Sequence, residues 1–192
     1  MDRRHFLAAA AGASTLPLAG CLGSSELDWK RLPDEDLGGL VFYESGTRTA
    51  AFSVTERRIE PENGRFGLAL NLWHREDTHL DSLRYELRAP SNPNGPQVAV
   101  WLERPGASPW PEMTFGKGRD LHTTIIDVPE VGSVGVGSLG IELRLEATEM
   151  PDTLPARLDL SFDLSHEDRL FETYTAESSL EFDLHRNPNA QS

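Results

Sequence analysis

Along much of this chain apolar residues recur at every second position. Phe66, Leu68, Leu70 and Leu72 alternate with Gly67, Ala69, Asn71 and Trp73, the two-residue repeat of a strand with one buried face. The same period returns in Leu83, Tyr85 and Leu87 against Arg84, Glu86 and Arg88, and in Val98, Val100 and Leu102 against Ala99, Trp101 and Glu103. It recurs in Ile141, Leu143 and Leu145, in Leu158, Leu160, Phe162 and Leu164 against Asp159, Ser161 and Asp163, and in Leu180, Phe182 and Leu184 against Glu181 and Asp183. Weaker candidates lie at 40–44, 49–55 and 120–127. No segment sustains the three-and-four spacing of a long helix. Turn-forming runs punctuate the strands: PENG at 61–64, PSNPNGP at 90–96, RPGASPWP at 104–111 and MPDTLP at 150–155. About nine strands at this density predict an all-β fold, an antiparallel β-sandwich with leucines between the sheets and acids outside. An immunoglobulin-like arrangement is expected, with a jelly roll as the alternative. The Cys and Trp hallmarks of antibody domains are absent, so the architecture alone is implied.

The first twenty-one residues break this pattern. Arg3 and Arg4 stand before an apolar run from Phe6 to Gly20, rich in Ala and interrupted by Gly12, Ser14, Thr15 and Pro17. A membrane-spanning helix needs about 20 predominantly apolar residues, so this run is too short and too weakly apolar for a comfortable span. A positive head and a modest apolar middle are those of an export signal. Arg3, Arg4, Phe6 and Leu7 resemble the twin-arginine signal, an address read by a receptor, which implies export of an already folded protein. Leu18, Ala19 and Gly20 before Cys21 resemble a lipobox, in which small residues admit a processing enzyme and the cysteine thiol receives a lipid. Cys21 is the only cysteine of the chain, so it has no internal disulfide partner. Each CH₂ buried in a bilayer contributes about 0.8 kcal/mol, so a diacyl-type modification would hold the protein to the outer face of the cytoplasmic membrane.

Charge narrows the setting. The chain carries 31 acidic residues against 18 basic ones, a net charge of −13. Lys30 and Lys117 are its only lysines, and arginine supplies the remaining positive charge. Such self-repulsion destabilises a compact state in dilute salt, whereas in molar salt the Debye length shrinks to about 3 Å and most of that cost disappears. Together with the signal and lipobox, this composition resembles the small exported lipoproteins of salt-loving archaea. The resemblance rests on motif over residues 1–21 and on composition beyond them. The same acidity argues against nucleic acid and anionic lipid as partners of the folded part.

The organisation read from these features is an export signal with lipobox over 1–21, an acidic tether over 22–39, and one β-sandwich domain over 40–192. A flexible tether of that length reaches roughly 23 Å from its anchor. Trp29 stands out within it, and by docking on the domain it would move the start of the globular part to about residue 27.

Candidate chemistry is sparse. Gly135, Gly137 and Gly140 have the spacing of a dinucleotide-binding loop, but a strand pattern follows where that motif needs a helix, so a turn between strands is expected and no cofactor is predicted. His74, Glu76, Asp77 and His79 lie within one short stretch, and imidazole nitrogens with carboxylate oxygens are the donors a transition metal takes. The spacing is not that of a helical His-Glu-x-x-His site, and a solvated charged loop is the plainer expectation. His122, His166 and His185 stand beside acids near strand ends and read as surface residues, since no nucleophile accompanies them by motif. Trp110, between Pro109 and Pro111, is read first as closing one end of the core, although its rigid flanks would equally present an indole to a carbohydrate or a protein. Trp73 and Trp101 occupy the outward phase of their strands, and sharing a face they would form an apolar patch among acids. The function expected is therefore a lipid-anchored, non-catalytic surface module that binds an envelope protein or a glycan through Trp73, Trp101 or Trp110. The alternative is a metal-dependent factor built on the His74–His79 loop.

Overall fold

The computed structural model describes residues 23–32, 37–105, 112–131, 137–149, 151–168 and 172–186. They form β1 (Gly23–Glu26), β2 (Asp28–Leu32), β3 (Gly38–Glu44), β4 (Thr47–Glu60), β5 (Arg65–His74), β6 (Thr78–Arg88), β7 (Val98–Pro105), β8 (Glu112–Lys117), β9 (Thr123–Glu130), β10 (Ser138–Ala147), β11 (Thr153–His166) and β12 (Glu172–His185). A single 3₁₀ turn, Pro61–Asn63, joins β4 to β5. There is no α-helix among the described residues.

The strands form two six-stranded sheets. One runs β1-β12-β11-β6-β9-β8 and the other β2-β3-β4-β5-β10-β7. Relabelling β4, β5, β6, β7, β10, β11 and β12 as A to G places A-B-E-D in one sheet and G-F-C in the other, which is the immunoglobulin order. The expected immunoglobulin-like sandwich is thus the fold of the chain. To that frame the β8–β9 hairpin adds beside β6, β2 and β3 extend the sheet beyond β4, and β1 runs parallel to β12.

The alternation read from the sequence explains the layering. Leu83, Tyr85 and Leu87 on β6 pair in register with Val128, Ile126 and Thr124 on β9, and all are buried. Leu68, Leu70 and Leu72 on β5 pair with Leu143, Ile141 and Leu139 on β10, also buried. The two inner faces meet in one cluster, where Phe42 of β3 packs edge-on against Phe162 of β11 at 4.9 Å between ring centres. Each fully buried Leu or Phe contributes about 1.5–3 kcal/mol relative to exposure. The β3–β4 hairpin closes through Ser45 and Gly46, whose φ angles of 49° and 84° give the twist that matches paired strands.

Residues 23–32 differ from the sequence expectation, which assigns them to a tether. β1 hydrogen-bonds along the edge of β12, and β2 along the edge of β3 in the opposite sheet. Between them Leu27 is buried and donates its N–H to Thr175 O at 2.9 Å. Arg31 Nη2 adds a bond to Glu181 O at 3.2 Å. This segment crosses from sheet to sheet and closes one side of the sandwich. β2 is exposed along most of its length, so it lacks the apolar period that reveals a half-buried strand. β8 was likewise not predicted, for it is an edge strand and exposed at nearly every position. The lipobox, the signal residues and Trp110 lie outside the described residues.

Candidate functional site

On the side of the sandwich opposite β1 and β2 the two sheets end in β7 and β8. Among the described residues β7 pairs only with β10 and β8 only with β9, so each sheet presents a free edge there. A free edge carries unpaired backbone donors and acceptors and is a template for another strand. Trp101 lies in the middle of β7, facing outward opposite Arg144, and is 45% exposed. On one side of it is a groove of about 360 Å³, which it lines with Val98, Lys117 and Leu121. On the other is one of about 460 Å³, lined by Trp101, Leu102, Glu103, Arg144 and Glu146. Leu121, in the β8–β9 turn, is 70% exposed, and Phe115 of β8 is also exposed. Arg144 Nε is buried and has no hydrogen-bond partner among the described residues, which leaves a strong donor beside the indole. Phe115 and Leu121 were missed at the sequence level because an edge hairpin shows no alternation.

Trp73 shares the outer face of its sheet with Trp101, as the outward phase predicts. The two do not make one patch. Trp101 is in register with Arg144 and Gly67, and Trp73 is six residues further along β5, so they stand roughly 22 Å apart. The Arg48 guanidinium covers the Trp73 ring at 4.9 Å from its centre, a cation–π contact that occupies the indole within its own molecule.

A third groove lies on the outer face of the other sheet. It is about 620 Å³, with Trp29 on one wall and side chains of β6, β11 and β12 along its floor. Glu86 and Asp159 are direct cross-strand neighbours, an arrangement that like charges oppose. Each is held by an arginine two residues earlier on its own strand. Arg84 Nη2 donates to Glu86 Oε1 at 2.7 Å, and Arg157 Nε to Asp159 Oδ1 at 2.8 Å. The hydrogen bond and charge of Asp159 in turn raise the Arg157 pKa. Alternation identified these residues as outward-facing, but their grouping depends on strand order and was not legible in the sequence.

The His74–His79 stretch does not assemble a metal site. It is no hairpin tip, since β5 and β6 belong to opposite sheets and residues 75–77 carry the chain across. His74 is buried, 1% exposed, with Nδ1 at 3.0 Å from Thr78 Oγ1. His79 pairs with Asp81 at 3.1 Å, and Asp77 with Arg75 and His166. Among the described residues no three His, Cys, Asp or Glu side chains are grouped to hold a metal. Burial alone would raise the Asp77 carboxyl, but the hydrogen bond and charge of Arg75, joined by His166, hold it below its ordinary value. Ser165 Oγ also donates to Asp81 Oδ1 at 3.0 Å. The carboxylate is therefore the centre of the Ser165–Asp81–His79 set, where base-activated nucleophiles need the imidazole.

Of the other histidines, His166 is corrected from surface to nearly buried, its side chain 7% exposed, because it packs beside Asp77. His122 Nδ1 is buried without a hydrogen-bond partner among the described residues, and His185 Nδ1 lies 3.3 Å from Thr153 Oγ1. Gly137, in the glycine-rich stretch, has φ of 85° and its carbonyl accepts the His74 N–H. The strand that follows it, β10, agrees with the turn reading.

The chain is similar in outline to several solved β-domains. They include a collagen-binding domain from a Staphylococcus aureus adhesin, at 11% identity over 70% of this chain and 96% of that one, with a TM-score of 0.44. A cohesin module of a Clostridium perfringens family 33 glycoside hydrolase gives 16% identity over 71% and 98%, with a TM-score of 0.40. The GAE domain of GGA2p from Saccharomyces cerevisiae gives 11% over 72% and 92%, also at 0.40. None of these likenesses bears on what the chain binds. No curated protein matches it. One family model covers residues 25–186, beginning inside β1 and ending one residue past β12, and the chain belongs to the family it describes, Domain of unknown function (DUF8121).

Proposed function

We propose that this protein is a non-catalytic binding module that captures an extended segment of a partner protein on the β7 side of its sandwich. The observation that carries the reading is Trp101 at the centre of the free β7 edge, flanked by a groove on each side. An added strand gains main-chain hydrogen bonds from an edge, and recesses beside it give specificity for alternate side chains. A half-exposed indole flanked by both apolar and charged side chains is an anchor such an interface uses. The twin-arginine resemblance and the lipobox support a position outside the cell, with a lipid on Cys21 as the anchor.

The test is photo-cross-linking from residue 103 on intact cells at native salt, with mass spectrometry of the captured species. A reproducible protein partner is expected, with capture falling at least roughly tenfold in Trp101→Ala and unchanged in Trp73→Ala. Hydrogen exchange with that partner should protect the β7 amides. Capture indifferent to Trp101, or the absence of any protein partner, overturns the reading.

A further inference from the structure

From the groove beside Trp29 we infer a second binding site, on the opposite side of the molecule from β7, whose ligand is a neutral oligosaccharide. Three features of the groove carry this. Trp29 is 46% exposed although it belongs to the segment that seals the sandwich, and it shares the groove with Glu177 and Ser179 of β12. An exposed indole offers a flat apolar face, the complement of the C–H face of a sugar ring.

The floor supplies the rest. Asp159 is in register with Glu86 on one side and Ser179 on the other, and Ser161 with Arg84 and Glu177. The outer face is therefore a grid of donors and acceptors spanning three strands, about 10 Å across. Both carboxylates take their arginine on a single oxygen, Glu86 on Oε1 and Asp159 on Oδ1. The second oxygen of each makes no hydrogen bond among the described residues. These two acceptors are fixed side by side, and the arginines that hold them keep further N–H groups. Vicinal hydroxyls, each a donor and an acceptor at once, match that alternation, and charged partners make such bonds strong.

Charge selects among ligands. An anion would meet Glu86, Asp159 and Glu177, and a cation would meet Arg84 and Arg157, whereas a neutral polyol meets a partner at each.

The test is saturation-transfer NMR with the full chain in molar potassium chloride. The probes are neutral oligosaccharides of glucose, galactose, mannose and N-acetylhexosamine in both anomeric linkages, with choline as the cationic control. Binding of at least one oligosaccharide with Kd of about 1 mM or tighter is expected. Trp29→Ala should weaken it at least roughly tenfold, as should Glu86→Gln combined with Asp159→Asn, while Trp101→Ala leaves it intact. The double carboxamide variant keeps the core unchanged and serves even where loss of Trp29 loosens the β1–β2 segment. No binding across the panel, binding unaffected by these changes, or preference for choline overturns the inference. Because Trp101 governs the protein partner and Trp29 the sugar, failure of either site is read separately.

Discussion

Asp77 joins three parts of one end of the sandwich. Its side chain meets Arg75 and His166, and its carbonyl accepts the Glu167 N–H at 3.0 Å. The carboxyl is held below its ordinary value, so its contribution to stability is complete above the unfolded-state pKa of about 3.9 and is lost as pH falls through the lower folded value. The side chain is partly exposed, which keeps the effect small. Asp77→Asn should therefore flatten the fall of the melting temperature below about pH 4 while changing neutral stability little, as thermal melts across pH 2–5 would show. A steep acid limb surviving the substitution would assign it to other carboxylates. The residues 74–79 also show where local reading stops. Their donor types are those of a metal site, but His74 continues the inward phase of β5 and β6 enters the opposite sheet, so the side chains do not converge.

At the scale of elements, strands with one buried face were legible because alternation is burial written into sequence: β5, β6, β7, β10, β11 and β12 all follow it. β1, β2 and β8 were not, because an exposed edge strand has no apolar face to reveal it, and its partners lie far away in sequence. Gly38, at the start of β3, shows how closely the added strands are fitted. Its φ is +143°, and a Cβ there would lie 2.9 Å from both Leu180 methyl carbons. Gly38→Ala should cost roughly 1–3 kcal/mol in urea unfolding, with Leu180→Ala partly relieving it in the double variant. Simple additivity of the two would mean that backbone strain alone, and not the contact with Leu180, sets the cost.

For the whole molecule the governing quantity is charge. A net charge of −13 repels itself, and the ion pairs among the described residues that offset it are largely exposed; Arg57–Glu142 and Arg84–Glu86 both retain substantial exposure. Exposed pairs contribute at most about 1 kcal/mol each. We predict that the cooperative melt followed by circular dichroism in molar salt is lost or shifted strongly downward on dialysis to low salt. A melt unchanged by salt would detach the acid excess from any adaptation to brine. Composition made this scale legible from the start, whereas the three grooves, which depend on which strands lie side by side, emerged only from strand order.

The start of β1 at Gly23 has a further consequence. With Cys21 acylated as proposed, only two peptide steps separate the lipid from the first hydrogen-bonded strand, a span of at most about 7 Å. The module would then stay near the bilayer surface instead of sweeping through a volume above it as a tethered domain would. The end nearest the anchor would hold the first residues of β1, β6 and β12, with Trp73 and Arg48 beside them. The opposite end, with the 61–64 turn and the connection between β6 and β7, becomes the outward-facing tip. Partners would then be met close to the membrane, so reach would be set by their length and not by this protein's.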